Sequence, residues 1–185
     1  MSDTSALPIE SLLGEISAAV RADKRLVLAA PPGAGKTTRV PLALAGLIEG
    51  FAPIEGRILL LEPRRLAARM AADRMAATLG ERTGKRIGLS TRIERKVSAE
   101  TVVEVITDGL FVRRLLSDPS LDGVGCVIFD EIHERSLNVD LGLALALEAQ
   151  SVFREDLHLL AMSATLDTEK VAGVMNAPVI ESEGR

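Results

Sequence analysis

Seven short apolar runs punctuate the chain, at 25–30, 57–62, 86–91, 101–107, 125–130, 157–163 and 177–182. Several, such as "RILLLE" and "GCVIFD", place apolar side chains at consecutive rather than alternate positions, so a strand built from them must be covered on both faces. The stretches between them, 38–49, 65–79, 109–116, 136–151 and 168–175, have helical spacing or composition. Strand and helix therefore alternate, which predicts an α/β fold: a mainly parallel sheet with helices on both faces. A leading helix is predicted over about 8–21, where Pro8 suits a first helical position and Leu12, Leu13, Ile16 and Val20 share one stripe.

With 185 residues, 47% of them hydrophobic, the chain suits one domain. Its single cysteine, Cys126, lies inside an apolar run, so an inert buried thiol and a reducing compartment are expected. The first residues lack a basic cluster followed by a long apolar stretch, and no segment approaches the roughly 20 apolar residues of a membrane span. A cytoplasmic location is the expectation.

The net charge of −4 hides an uneven distribution. Residues 57–114 carry 13 basic and 7 acidic side chains, whereas 115–185 carry 4 and 13. The basic middle third is compatible with a face that binds a nucleic-acid backbone, and equally with solvated surface arginines. Aromatic residues make up 2%, with no Trp or Tyr, so contacts to nucleic acid are expected at phosphate and sugar rather than by base stacking.

The most specific local signal is "APPGAGKTT" (30–38), placed directly after an apolar run and directly before a helical stretch. It meets the phosphate-loop pattern GxxxxGK[ST], except that Ala30 stands for the first glycine. Gly33, Ala34 and Gly35 let the backbone wrap close to phosphate oxygens, and the helix that follows adds its positive end, with Thr38 in its first turn. Lys36 is expected to reach the β- and γ-phosphates, and the Thr37 hydroxyl to sit on a magnesium ion.

A second signal, "CVIFDEIHER" (126–135), ends an apolar run in two acids. Acids there could cap a helix electrostatically. Beside a phosphate loop their chemistry is more specific. Asp130 holds the magnesium, directly or through water, and the adjacent Glu131 orients and deprotonates an attacking water, with its own carboxylate near the metal. On the residues alone, His133 and His158 both read as structural hydrogen-bonded histidines, since no metal-ligand spacing accompanies them.

Taken together, "GAGKT" and "DEIH" resemble the first RecA-like domain of superfamily-two helicases of the DEAH class. "EPRRLAA" (62–68), "TDGLFVRRL" (107–115) and "SAT" (163–165) are similar to that family's motifs Ia, Ib and III, in order. The continuation "HERSLNVDLGLAL" is similar to DEAH rather than DEAD proteins, and most of all to the bacterial HrpB-type branch.

The resemblance, spanning about residues 10–185, implies an ATP- and magnesium-dependent enzyme acting on single-stranded nucleic acid, RNA by the family's naming. It places Arg64, Arg65, Arg92, Thr107, Asp108 and Arg113 along the strand, and Arg74 against the nucleotide base. It makes Ser163 and Thr165 the link between hydrolysis and domain movement, with His133 taking part. Residues 1–22 would be a leading extension, 23–182 the RecA-like domain, and 183–185 the start of a linker to a second RecA-like domain carrying arginine fingers. Ile132 replaces the alanine of DEAH, and a packing role is expected for it.

Other classes remain open at this level. A nucleotide kinase would need a lid and acceptor pocket, and no NKxD guanine motif appears. A binding module that had lost catalysis would not need to keep both Lys36 and Glu131.

Overall fold

The structure, a computed structural model, describes residues 7–165 and 167–182. Along the chain it runs through a 3-10 segment (Pro8–Leu12), α1 (Leu13–Asp23), β1 (Arg25–Ala29), α2 (Lys36–Leu44), β2 (Arg57–Leu61), α3 (Arg65–Thr78), β3 (Ile87–Ser90) and β4 (Arg95–Lys96). It continues with β5 (Val103–Ile106), α4 (Asp108–Ser117), β6 (Val124–Phe129), a 3-10 turn (Ile132–Glu134), α5 (Leu137–Val152), β7 (His158–Ser163), α6 (Glu169–Met175) and β8 (Val179–Glu181). The eight strands form one sheet in the order β4-β3-β5-β2-β6-β7-β1-β8. Every neighbouring pair is parallel except β3 with β4.

Each apolar run of the sequence contains a strand, and in β1, β2, β6 and β7 consecutive apolar residues divide between two cores. Leu26, Leu28, Ile58, Leu60, Cys126, Ile128, Leu160 and Met162 face the layer of α1, α2 and α3. Val27, Leu59, Leu61, Val127, Phe129, Leu159 and Ala161 face α4, α5 and α6. Strand side chains alternate in direction, so a run that is apolar at every position can only be satisfied by helices on both sides. On the second face Phe111 of α4 meets Phe129 of β6 edge to face, with ring centroids 5.9 Å apart.

Three elements differ from the sequence expectation, each for a local reason. The helix expected over 38–49 spans Lys36–Leu44, because Gly46 (φ 68°) closes it: Leu47 N–H donates to Leu42 O and Gly46 N–H to Ala43 O, a Schellman stop. The leading helix begins as a 3-10 segment, since Ile9 N–H donates to Ala34 O (3.1 Å) and ties that turn to the phosphate loop. Strand β4 has no counterpart in the expected set, because both its residues are exposed and carry no apolar signal.

Because β1 lies between β7 and β8, the chain leaving β1 must pass β7 and β6 to enter the sheet again at β2. A crevice at the carboxyl ends of the strands is where such a change of direction places ligands. Among the described residues, no helix is long and apolar enough to cross a membrane.

Where β6 begins, the backbone approach is close: a Cβ on Gly125 would lie 1.9 Å from the Glu55 carbonyl oxygen. Gly125→Ala is therefore expected to lower stability by at least about 1–3 kcal/mol, the usual range for overpacking. A drop in the urea midpoint with an unchanged slope would report it.

Candidate functional site

The sheet order brings three strand ends together. Strand β1 runs into loop 30–35 and α2, β6 ends at Asp130, and β7, which lies between them, ends at Ser163. Ala30 N–H donates to Ser163 O (3.0 Å), joining the first and third. Ala30 is not at positive φ, so an ordinary residue fits where the strict pattern has glycine. Gly33 (φ 80°) and Gly35 (φ 94°) are in the left-handed region, which is why the loop needs them. Gly35 caps α2, whose first N–H groups lack intrahelical partners and face a cavity of about 810 Å³. Gly33, Gly35, Lys36, Thr37, Thr38, Arg74 and Glu131 line it, while the side chain of Ala34 is buried in the core.

Across this cavity the phosphate loop and the DEIH stretch touch directly. Thr37 Oγ1 donates to Asp130 Oδ2 (2.5 Å), and Glu131 N–H donates to Asp130 Oδ1 (2.8 Å). Glu131 has φ 52° and ψ 39°, a left-handed conformation worth about 1–3 kcal/mol of strain in a residue with a side chain. The turn separates the two acids: Asp130 stays with Thr37, while Glu131 Oε1 lies 3.1 Å from Lys36 Nζ. Its other oxygen, Oε2, lies 3.2 Å from His133 Nε2. His133 Nδ1 accepts from Ala164 N–H (3.2 Å), so the Nε2 proton is the one offered to Glu131. Ser163 Oγ accepts from Thr165 N–H (3.1 Å) and lies 3.1 Å from Thr165 Oγ1. A continuous contact path therefore runs from Lys36 through Glu131 and His133 to the "SAT" turn. Ile132 is buried in the second core, a packing position as the sequence suggests. His158 is structural: Nδ1 lies 3.0 Å from Gly125 O and Nε2 3.2 Å from Lys24 Nζ, far along the sheet from this edge.

One acid escaped the sequence reading as a site residue. Glu62 follows Leu61, which pairs with Phe129, so it stands beside Asp130 at the same level of the sheet. It is 4% exposed, its Oε1 has no hydrogen-bond partner among the described residues, and it lines a side cavity with Thr37, Thr38, Arg74 and Glu131. Burial, reinforced by Asp130 and Glu131, pushes its carboxyl up to about 8. Burial likewise pushes Asp130 up to about 6, against the Thr37 hydrogen bond and the Lys36 charge. The signal available in the sequence was an acid ending a wholly apolar strand, the same signal that marked Asp130.

The nucleic-acid candidates occupy the other half of the same edge. Arg64 and Arg65, both exposed, start α3 and share an open groove with Arg69, Thr91 and Ile93. Arg64 also pairs with Glu134 (3.1 Å). Arg92 is exposed at the tip of the β3–β4 hairpin, between the groove residues Thr91 and Ile93. Thr107 N–H donates to Ser90 O (3.3 Å), which sets the start of α4 beside that hairpin; Asp108 accepts from Gly109 N–H (2.7 Å) and from Ser136 Oγ (3.2 Å). Arg113 lies apart from the groove of Arg64 and Arg65, in a neighbouring cavity with Arg57, Arg95 and Arg114 around the buried Glu104.

The raised Glu62 carboxyl has a measurable consequence in the absence of nucleotide and divalent cation. A folded pKa near 8 against an unfolded value near 4.5 means the fold holds a proton that the unfolded chain releases. The stabilisation is complete below about pH 4.5 and is lost as pH rises through 8. Melts of the wild type should therefore fall between about pH 5 and 8 and level off above, and Glu62→Gln should flatten that decline.

Residues 14–174 match the family model described as DEAD/DEAH box helicase. The chain is 47% identical over 182 residues to the ATP-dependent RNA helicase HrpB of Escherichia coli K12, covering 98% of this chain and 22% of that protein. It is 36% identical over 181 residues to an ATP-dependent RNA helicase HrpA homolog of Haemophilus influenzae, covering 97% of this chain and 14% of that protein. Two crystal structures of E. coli HrpB, one described as a DEAH/RHA helicase and one as a DExH-box NTPase, superpose with TM-scores of 0.91 and 0.93 at 47% and 46% identity. They are covered to 22% of their length, and 97% and 100% of this chain is matched. The chain thus spans about a fifth of the length of its HrpB relatives. Sheet order, strand-end geometry and these matches agree: the chain belongs to the DEAD/DEAH box helicase family and has its RecA-like α/β fold.

Proposed function

We propose that this chain is the nucleotide-binding and hydrolysing domain of an ATP-dependent helicase that acts on RNA. The observation that carries the proposal is the pair of contacts joining loop and DEIH stretch, Lys36 to Glu131 and Thr37 to Asp130. In this reading residues 23–182 are the RecA-like domain, 1–22 a leading extension whose described part, from residue 7, packs on its core, and 183–185, outside the described residues, the start of a linker. One buried thiol, Cys126, suits a reducing, cytoplasmic setting.

The residues fit a hard divalent cation. A threonine hydroxyl, a buried carboxylate and a further buried carboxyl oxygen without a donor among the described residues form an all-oxygen set of the kind magnesium takes. Thr37 and Asp130 would hold the ion, with Glu131 nearby, and the ion would neutralise charge on the β- and γ-phosphates. The helix α2 N-terminus and the loop N–H groups bind phosphate oxygens. Lys36 leaves Glu131 for the incoming phosphates, which frees the Glu131 carboxylate to orient a water and take its proton. His133, donating to Glu131 and accepting from Ala164, passes the change in charge to Ser163 and Thr165. Arg74 lies on the cavity wall where a base of any identity can stack on its guanidinium.

For the nucleic acid, Arg64, Arg65 and Arg92 line one face, Thr107 and Asp108 stand at the start of the neighbouring helix, and Arg113 extends the basic surface. These groups reach phosphate and sugar, consistent with a strand held without regard to sequence. A second RecA-like domain would supply arginines to the γ-phosphate across the crevice.

Glu131→Gln is expected to leave binding of fluorescent ATP intact while lowering phosphate release about 100-fold or more, the usual share of a general base; an unchanged rate would assign the proton transfer to another group. If an arginine finger comes from a second domain, turnover by these 185 residues should be slow, since such a finger is worth about a thousandfold or more. Strand separation of an RNA duplex by this chain alone, with ATP, would refute that dependence.

A further inference from the structure

Glu62 adds an oxygen to the candidate cation set, but the hydrolytic scheme assigns it no position or step. Its setting is unfavourable: it is 4% exposed, stands beside Asp130 at the end of the adjacent strand, and leaves Oε1 without a donor among the described residues. A buried polar oxygen without a partner is destabilising, because its lost hydration is not replaced. Among the described residues, no neighbouring cation donates to Oε1. Lys36 is engaged with Glu131, and Arg64, 65% exposed, is engaged with Glu134. Yet the carboxyl faces a cavity of about 290 Å³ that it shares with Thr37 and Glu131.

What could enter that cavity and supply a donor is limited by chemistry. A phosphate oxygen offers no proton to Oε1. The waters of a bound divalent cation are strong, polarised donors, and magnesium keeps several of them. Inner coordination falls to Thr37 and Asp130, which are already in contact. Glu62 stands one strand beyond Asp130, with β6 and β7 between it and β1, which places it outside the Thr37–Asp130 pair. We propose that Glu62 is a positioning acid of the cation site, accepting a hydrogen bond from a water on the divalent ion held by Thr37 and Asp130. Groups that hydrogen-bond to a metal's own ligands commonly contribute about 10- to 100-fold in metal affinity. This rests on the reading of Lys36, Thr37, Asp130 and Glu131 as a nucleotide–cation site.

The test measures cation affinity rather than turnover. Mn²⁺ binding is titrated by electron paramagnetic resonance at saturating ADP in the wild type, Glu62→Gln and Glu62→Asp, and ADP affinity is measured separately in chelator. The expected result is an unchanged ADP affinity in chelator, a Mn²⁺ affinity weakened about tenfold in Glu62→Gln, and a smaller loss in Glu62→Asp, which keeps the charge. Thermal melts without ligand establish folding; if Glu62→Gln does not fold, Glu62→Asp alone decides. Folded variants that bind Mn²⁺ as the wild type does would overturn the assignment and leave Glu62 as a space-filling protonated acid or a donor to phosphate. If the wild type itself binds ADP no tighter with Mn²⁺ than in chelator, the nucleotide–cation reading fails first, and this inference falls with it.

Discussion

Lys36 cannot be buried alone. At 4% exposure its ammonium needs a compensating charge, since an unpaired ion in a protein interior costs several kcal/mol, and it finds Glu131 at 3.1 Å. That contact forces the arrangement around it. Glu131 must leave the direction of β6 to reach Lys36, hence its left-handed backbone; Asp130 is then free to take the Thr37 hydroxyl; and His133 comes under the second oxygen of Glu131. In the proposed scheme, the acid that serves as base is ion-paired with the lysine that phosphate would claim, so entry of a nucleotide would exchange one set of charge contacts for another.

The second constraint is the strand between the two motifs. β7 separates β1 from β6, and its end carries Ser163, whose carbonyl holds Ala30 while the following peptide N–H holds His133. Any shift of Glu131 is felt at Ala164 through one imidazole. That turn lies at the edge where a partner domain would face the crevice, which gives a physical route from charge change to movement without a long chain of intermediaries.

The loss of solvent that makes these contacts strong also explains the unusual acids. Asp130 and Glu62 end adjacent wholly buried strands, so both carboxyls are raised by burial, and Glu62 further by the charge of Asp130. Asp130 has a donor in the Thr37 hydroxyl, whereas Glu62 Oε1 has none among the described residues. In the proposed reading, a divalent cation with its waters would supply the donor that Glu62 Oε1 lacks.

Much of this was legible in the residues. Consecutive apolar side chains in seven runs, with helical stretches between, allow one solution, a covered parallel sheet, because the chain's alternation sends neighbouring side chains to opposite faces. The loop at 30–38 and the acids at 130 and 131 were identifiable because phosphate chemistry requires those residue types beside a strand end. Strand β4 was not, since two exposed residues carry no periodicity, nor was the early stop of α2, which depends on one glycine adopting a left-handed turn. The order of strands was beyond the sequence as well: it arises from how long crossovers pack, and it alone sets Asp130 against Thr37, Glu62 beside Asp130, and Arg113 in a cavity separate from Arg64 and Arg65. Local pattern thus determined which elements form and which chemistry they carry. Only tertiary packing decided which side chains meet, because burial and pairing are properties of neighbours far apart along the chain.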